Sequence, residues 1–99
     1  MYLPEDTPVF RRKMRKLCKK DQPRFERVRK KMAEILKNPS AYAPLGNILA
    51  GARHVHIDPF VFTFEIDEQN KIVRFLDFDH HDKIYRNYSA PGMFPPGHF

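Results

Sequence analysis

From residue 7 the apolar positions recur first at helical spacing and then at strand spacing. Thr7 followed by Pro8 is an N-cap and first helical residue, and Phe10, Met14, Leu17 and Cys18 follow at i, i+4, i+7 and i+8. The segment "KKDQP" interrupts this pattern. Asp21 then caps a second predicted helix with Pro23 in its first turn, whose stripe is Phe25, Val28, Met32, Ile35 and Leu36 and which ends at Asn38-Pro39. Each stripe is the face a helix must bury, and so short a break makes the two an antiparallel hairpin.

The second half of the chain changes period. In "RHVHI" Val55 and Ile57 fall on one face and His54 and His56 on the other. "DPF" is a turn, and "FVFTFEI" is a strand carrying Phe60, Phe62, Phe64 and Ile66 on one face. "DEQNK" is a hairpin loop and "IVRFLDF" a third strand. "PLGNILAG" before them is an irregular strand or loop. The predicted fold is α+β: a helix hairpin packed on one face of a small twisted antiparallel sheet. Residues 1–86 read as one domain and 87–99 as a Pro/Gly-rich tail without period, whose aromatic residues could dock on the sheet or a partner.

Charge sharpens this picture. Between Arg11 and Lys37 thirteen Lys and Arg face three acidic residues, whereas the rest of the chain is net acidic. A helix hairpin with so basic an outer surface calls for a polyanionic partner, a nucleic acid or an acidic protein. Arg12, Lys16, Arg27 and Lys31 are the helical candidates for RNA contact. The single Cys18 excludes an intramolecular disulfide and a Cys-rich zinc site, so a reducing cytoplasm is the expected location. No apolar run is long enough to span a membrane, and the start has no signal-peptide pattern.

Candidate chemistry is concentrated in histidines. Four of the five lie at strand positions: His54 and His56 share a face, and His80 and His81 stand at the exit of the last strand. His-x-His plus His-His, with Asp79 and Asp82 nearby, offers zinc ligands, but neither H-E-x-x-H nor CxxC spacing is present, and no metal or other cofactor is assigned. Acid–base chemistry suits the set better, because an imidazole exchanges protons near neutral pH. Metal-independent RNA cleavage needs one group to take the 2′-hydroxyl proton, one to protonate the leaving 5′-oxygen, and a cation for the phosphorane. Arg53, Arg74 and Lys83 are candidate cations. Tyr85 can donate a hydrogen bond, orient a histidine, stack on a base, or simply seal the core.

Taken in order, the basic hairpin, "P-L-x-x-x-L-x-G" at Pro44–Gly51, "RHVHIDPFVFTFEID" and "DHHDKIY" resemble the RelE/ParE superfamily of toxins from type II toxin–antitoxin modules. The resemblance runs from Phe10 to Tyr85. It sets His54 and His56 at two early arginine positions of the family, Glu65 at its strand glutamate, and His80, His81 and Tyr85 at its closing histidine, arginine and tyrosine. It implies a ribosome-dependent mRNA endoribonuclease neutralised by an acidic antitoxin, with His56 and His81 as the proton-transfer pair, His80 as orienter or substitute, and Arg53, His54, Arg74 and Lys83 on the phosphates. One departure stands out: the arginine expected in the middle strand is Val61. That leaves open an inactive, nucleic-acid-binding relative, or a histidine-rich variant resembling the YafQ branch. A gyrase inhibitor of the ParE kind is the third alternative, and it has no need of clustered imidazoles. The family's N-terminal strand is barely visible in "MYLP", where Pro4 should end it.

Overall fold

The computed structural model describes residues 1–42 and 52–87, with side chains as far as Ile84. The "PLGNILAG" segment and all but the first residue of the tail lie outside the described residues. The elements run β1 (Leu3–Asp6), α1 (Pro8–Lys20), α2 (Gln22–Lys37), a 3₁₀ turn (Pro39–Ala41), β2 (Ala52–Ile57), β3 (Phe60–Asp67), β4 (Ile72–His80) and α3 (His81–Asn87).

The helix hairpin forms as its caps dictate. Thr7 Oγ1 accepts from Phe10 N at 3.2 Å, and Asp21 serves both helices. Its N–H closes α1 on Leu17 O at 2.8 Å, and its carboxylate accepts from Arg24 N at 3.1 Å to open α2. Phe10, Met14, Val28 and Ile35 bury the inner faces of the two helices. They meet Val55, Ile57, Phe62, Phe64, Val73, Phe75 and Phe78 from one side of the sheet. Phe10, fully buried, stacks on Phe75 at 5.4 Å and lies 6.3 Å from Phe62.

The sheet order is β1-β4-β3-β2. The expected antiparallel pairings, β2 with β3 and β3 with β4, are present. β1 adds a fourth strand in parallel with β4, so the sheet is mixed. Pro4 does not end β1, because an edge strand tolerates a missing N–H on its open side. An irregularity between Thr63 and Phe64 leaves Leu76 as an extra residue in β4. Past that point β4 outruns β1, whose register stops at Asp6 opposite Phe75.

The last element is a helix that sequence periodicity did not reveal. α3 starts directly after β4, and His81 N donates to Pro59 O at 3.1 Å, tying the start of the helix to the β2–β3 turn. α3 lies against β3 and β4, and Ile84 is fully buried there. Val61 and Ile84 are fully buried yet stand apart from the core beneath α1 and α2. The sheet is therefore covered on both faces at this end, by the hairpin on one side and α3 on the other.

Candidate functional site

Strand parity and register decide where each histidine stands. His56 pairs with Val61 and Val61 with Asp79; His54 pairs with Thr63 and Thr63 with Asp77. Paired residues project to the same side, so His54, His56, Val61 and Thr63 share the face opposite Phe62 and Phe64. The two imidazoles of β2 lie edge to face, with ring centroids 5.2 Å apart, and His56 is exposed. His80 and His81 form a second pair at the end of β4, with centroids 4.5 Å apart. Asp82 sits beside both: its carboxylate is 3.0 Å from His81 Nδ1, and its N–H donates to His80 Nδ1 at 3.3 Å. Two strand spacings, about 10 Å, separate β2 from β4. His80 pairs with Phe60 and touches its ring, so it projects to the hairpin side of the sheet, opposite His54 and His56, while His81 opens α3. The β2 pair and the β4-exit pair are separated by β3, with Val61 buried between the strands.

The cations divide into separate sets. Arg27 and Lys31 line a groove of about 380 Å³ with His56, so two of the helical candidates share a surface with a candidate imidazole. Lys31 is held 2.9 Å from Glu34, which raises its pKa through that hydrogen bond. Lys16 and Lys83 line a different cleft, of about 370 Å³, between α1 and the end of β4. Arg12 is exposed on α1. Arg53 donates to Tyr42 O at 2.5 Å and, by parity, lies on the side of the sheet away from His54 and His56. Arg74 is clamped between Glu5 and Glu65, 2.5 Å from the latter. It stands six residues before His80, about 20 Å along the strand, and is not part of the histidine cluster. Tyr85 falls within α3, but its side chain lies outside those described.

A network that the sequence did not announce closes the open edge of β4. Beyond Phe75 the outward backbone groups of this strand have no neighbouring strand. Leu76 O accepts from the Thr7 hydroxyl at 2.9 Å, while Asp77 and Asp79 fold back to accept from Phe78 N and His80 N at 2.7 and 2.8 Å. Lys13 then bridges both carboxylates, 2.6 Å from Asp77 and 2.9 Å from Asp79. Burial opposes the Lys13 ammonium, but its hydrogen bonds to the two aspartates outweigh that and hold its pKa above the ordinary lysine value. Burial likewise opposes the Asp79 carboxylate, yet Lys13 and the His80 N–H keep its pKa below the usual range. The edge that carries His80 and His81 is made rigid in this way, and it is closed to a pairing strand.

One cluster among the described residues, His80, His81 and Asp82, brings three possible metal-ligand atoms within 4.8 Å of one another. These are consecutive residues, and the Nδ1 atoms of both histidines lie within 4 Å of the Asp82 carboxylate.

The family model described as the ParE toxin of the type II toxin–antitoxin system, parDE, matches residues 7–85. The chain belongs to the RelE/ParE superfamily of toxins. It is 45% identical over 87 residues to the Methanocaldococcus jannaschii protein named "Putative toxin RelE4", covering 87% of this chain and 93% of that one. Its fold is that of the toxin in the intact E. coli RelBE toxin–antitoxin complex, with a TM-score of 0.69 at 15% identity over 81% of this chain and 96% of that one. The E. coli DinJ-YafQ complex has a chain of similar fold, with a TM-score of 0.58 at 21% identity over 86% of this chain and 99% of that one.

In this toxin, sequence reasoning overlooked the Lys13–Asp77–Asp79 network, the α3 helix and the cleft that takes Lys16 and Lys83. A signal for the cleft was present. Lys13, Lys16, Leu17 and Lys20 recur at i, i+3, i+4 and i+7, which makes one helical face, but it overlaps the apolar stripe of α1 at Leu17.

Proposed function

We propose that this toxin is a ribosome-dependent, metal-independent mRNA endoribonuclease of the cytoplasm, held inactive by a cognate acidic antitoxin. The observation that supports this is the presence of two imidazole pairs, one on β2 and one at the β4 exit, beside exposed cations. His56 and His81 are the proton-transfer pair. One removes the 2′-hydroxyl proton as that oxygen attacks the adjacent phosphorus; the other protonates the departing 5′-oxygen, leaving a 2′,3′-cyclic phosphate. His80 supports His81, and Tyr85 closes the site. Arg27 and Lys31, which share a groove with His56, and Lys83 at the opposite rim supply positive charge for the phosphates. The remaining helical cations, Arg12 and Lys16, engage ribosomal RNA.

The buried Val61 favours a second possibility, a relative that binds RNA and does not cut it. Primer-extension mapping of an mRNA on translating ribosomes separates the two, with wild-type toxin beside His56→Ala and His81→Ala. Cuts in the A-site codon that disappear in both variants are expected. Intact message with the wild-type protein removes the nuclease assignment. If DNA-damage signalling accompanied that intact message, gyrase would be the target.

A further inference from the structure

Of the residues that line the cleft between α1 and the end of β4, the proposed function uses only Lys16 and Lys83. The floor of the cleft is apolar: Leu17 meets Phe60 and Phe78, whose rings stack at 5.0 Å with only 13° between their planes. Arg24 lies over Phe60 at 4.8 Å, and the edge of Phe60 meets His80 at 6.3 Å, so the ring is fixed in orientation. The rim is cationic. Lys16, Lys20 and Lys83 surround the floor, and none of them has an ion-pair partner among the described residues. Lys13 and Asp79 make the remaining wall and neutralise one another there. Exposed ammonium groups beside an apolar floor suit an anionic ligand that carries an apolar body. A volume of about 370 Å³ lies at the lower end of the range for small-ligand sites.

We propose that this cleft binds one nucleotide of single-stranded RNA, its base packed on Leu17 and the open edges of the stacked Phe60–Phe78 pair and its flanking phosphates on Lys16, Lys20 and Lys83. Both faces of Phe60 are taken, by Phe78 and Arg24, so the base makes apolar edge contact and does not stack, while a positively charged groove tracks the backbone. An acidic peptide fits less well. Such a segment usually docks by adding a strand, and the backbone groups of β4 at this edge are already taken by Thr7, Asp77 and Asp79. The contact between Phe60 and His80 joins the cleft to the β4-exit histidines, so a strand seated here runs directly towards His81. The subsite rests on the ribonuclease assignment for the class of ligand and shares Lys16 and Lys83 with it.

The test uses the purified full-length toxin and a 2′-O-methyl RNA hexamer, which cannot be cleaved by 2′-hydroxyl attack. Binding is followed by fluorescence anisotropy across a salt series and by NMR. Lys16→Gln with Lys20→Gln is expected to weaken binding about tenfold and to reduce the salt slope by about 1.4, the amount for two phosphate contacts on a single strand. Phe60→Leu, which reshapes the apolar floor, is expected to weaken binding about threefold with the slope unchanged. Resonances of Leu17 and Phe78 should move on titration of the wild-type protein. Lys19→Gln with Lys37→Gln removes equal charge from exposed positions outside the cleft and should change affinity less than threefold. If this pair weakens binding as much as the cleft pair, the contact is diffuse electrostatics and the subsite is refuted. Equally fatal would be resonance shifts confined to the His54/His56 face, or displacement of the hexamer from Leu17 and Phe78 by an acidic peptide at equal concentration. Because the probe is not cut, loss of ribosomal cleavage and loss of cleft binding are separate results.

Discussion

Replacing Lys13 with Met keeps most of the side-chain volume and removes the one cation that bridges Asp77 and Asp79. Asp77 is 8% exposed and Asp79 24%, so neither carboxylate is fully rehydrated when the ammonium goes. Breaking a fully buried pair costs about 3–5 kcal/mol and breaking an exposed one about 0.2–1. Each aspartate here retains one backbone N–H donor, from Phe78 and His80, which softens the loss. About 2 kcal/mol of destabilisation is expected, or a fall in Tm of about 8–16 °C for a domain of this size. pH dependence gives an independent reading. The folded-state pKa of Asp79 is depressed, so its contribution is present above the unfolded carboxylate value, about pH 4, and is lost as pH falls through the folded value. The folded-state pKa of Lys13 is raised, so its contribution holds below about pH 10 and disappears as pH climbs through the folded value. The wild-type advantage over Lys13→Met should therefore be flat from pH 5 to 9 and narrow towards pH 3. Adding Asp77→Asn to Lys13→Met relieves the repulsion between the two carboxylates and should restore about 1 kcal/mol. Urea denaturation of the four members of the cycle measures all of this. A loss under about 0.5 kcal/mol at pH 7, or a gap that does not narrow in acid, would show that Lys13 is a solvated surface charge and that the edge of β4 is not held this way.

Three further outcomes test the fold. Phe10→Ala empties the contact point of Phe62 and Phe75 and should cost about 3–5 kcal/mol in urea denaturation, against less than about 1.5 for Phe10→Leu with repacking. Thr7→Ala removes both the cap on Phe10 N and the hydroxyl bond to Leu76 O; about 1–2 kcal/mol should be lost, and hydrogen exchange should accelerate at the start of α1. Arg74→Gln breaks a clamp with half-exposed Glu5 and Glu65, so less than about 1 kcal/mol should be lost at low salt and almost none at 0.5 M NaCl, measured by thermal melts.

The parts of this fold visible in the sequence are those governed by local rules. Thr7-Pro8 and Asp21 fix helix starts because a cap acts within three residues. The alternation in "FVFTFEI" identifies a strand because it matches the pleat whatever its neighbours do. β1 escaped because four residues interrupted by a proline carry no periodicity, and its pairing to β4 is decided by a partner almost seventy residues away. α3 escaped because seven residues provide barely two turns, and because its stability comes from Ile84 meeting the sheet. For the site, parity alone placed His54 and His56 together. The separation of the two imidazole pairs by β3 followed from strand order, which the succession of short hairpins made readable. What no local pattern carried was the fate of each cation: Arg74 is taken by carboxylates on two other strands, and Arg53 by a main-chain carbonyl.

That distribution bears on the valine at the centre of the face. Position 61 of β3 pairs with His56 on one side and Asp79 on the other, so it shares a face with His56 but is covered at this end of the sheet. With Val61 buried there, Arg53 turned to the other side and Arg74 some 20 Å along the strand, no sheet arginine among the described residues is available to neutralise a phosphate at the histidines. Positive charge on the histidine side instead comes from the rims: Arg27, Lys30 and Lys31 beside His56, and Lys83 after His81. Under the proposed chemistry the phosphorane is therefore stabilised from its flanks, by side chains on helices. Such a site depends on a substrate positioned from outside, since flexible rim cations lose more entropy on ordering than an arginine pinned in a strand. If the proposed function holds, a need for the ribosome to hold the message and a low activity on free RNA are the expected consequences.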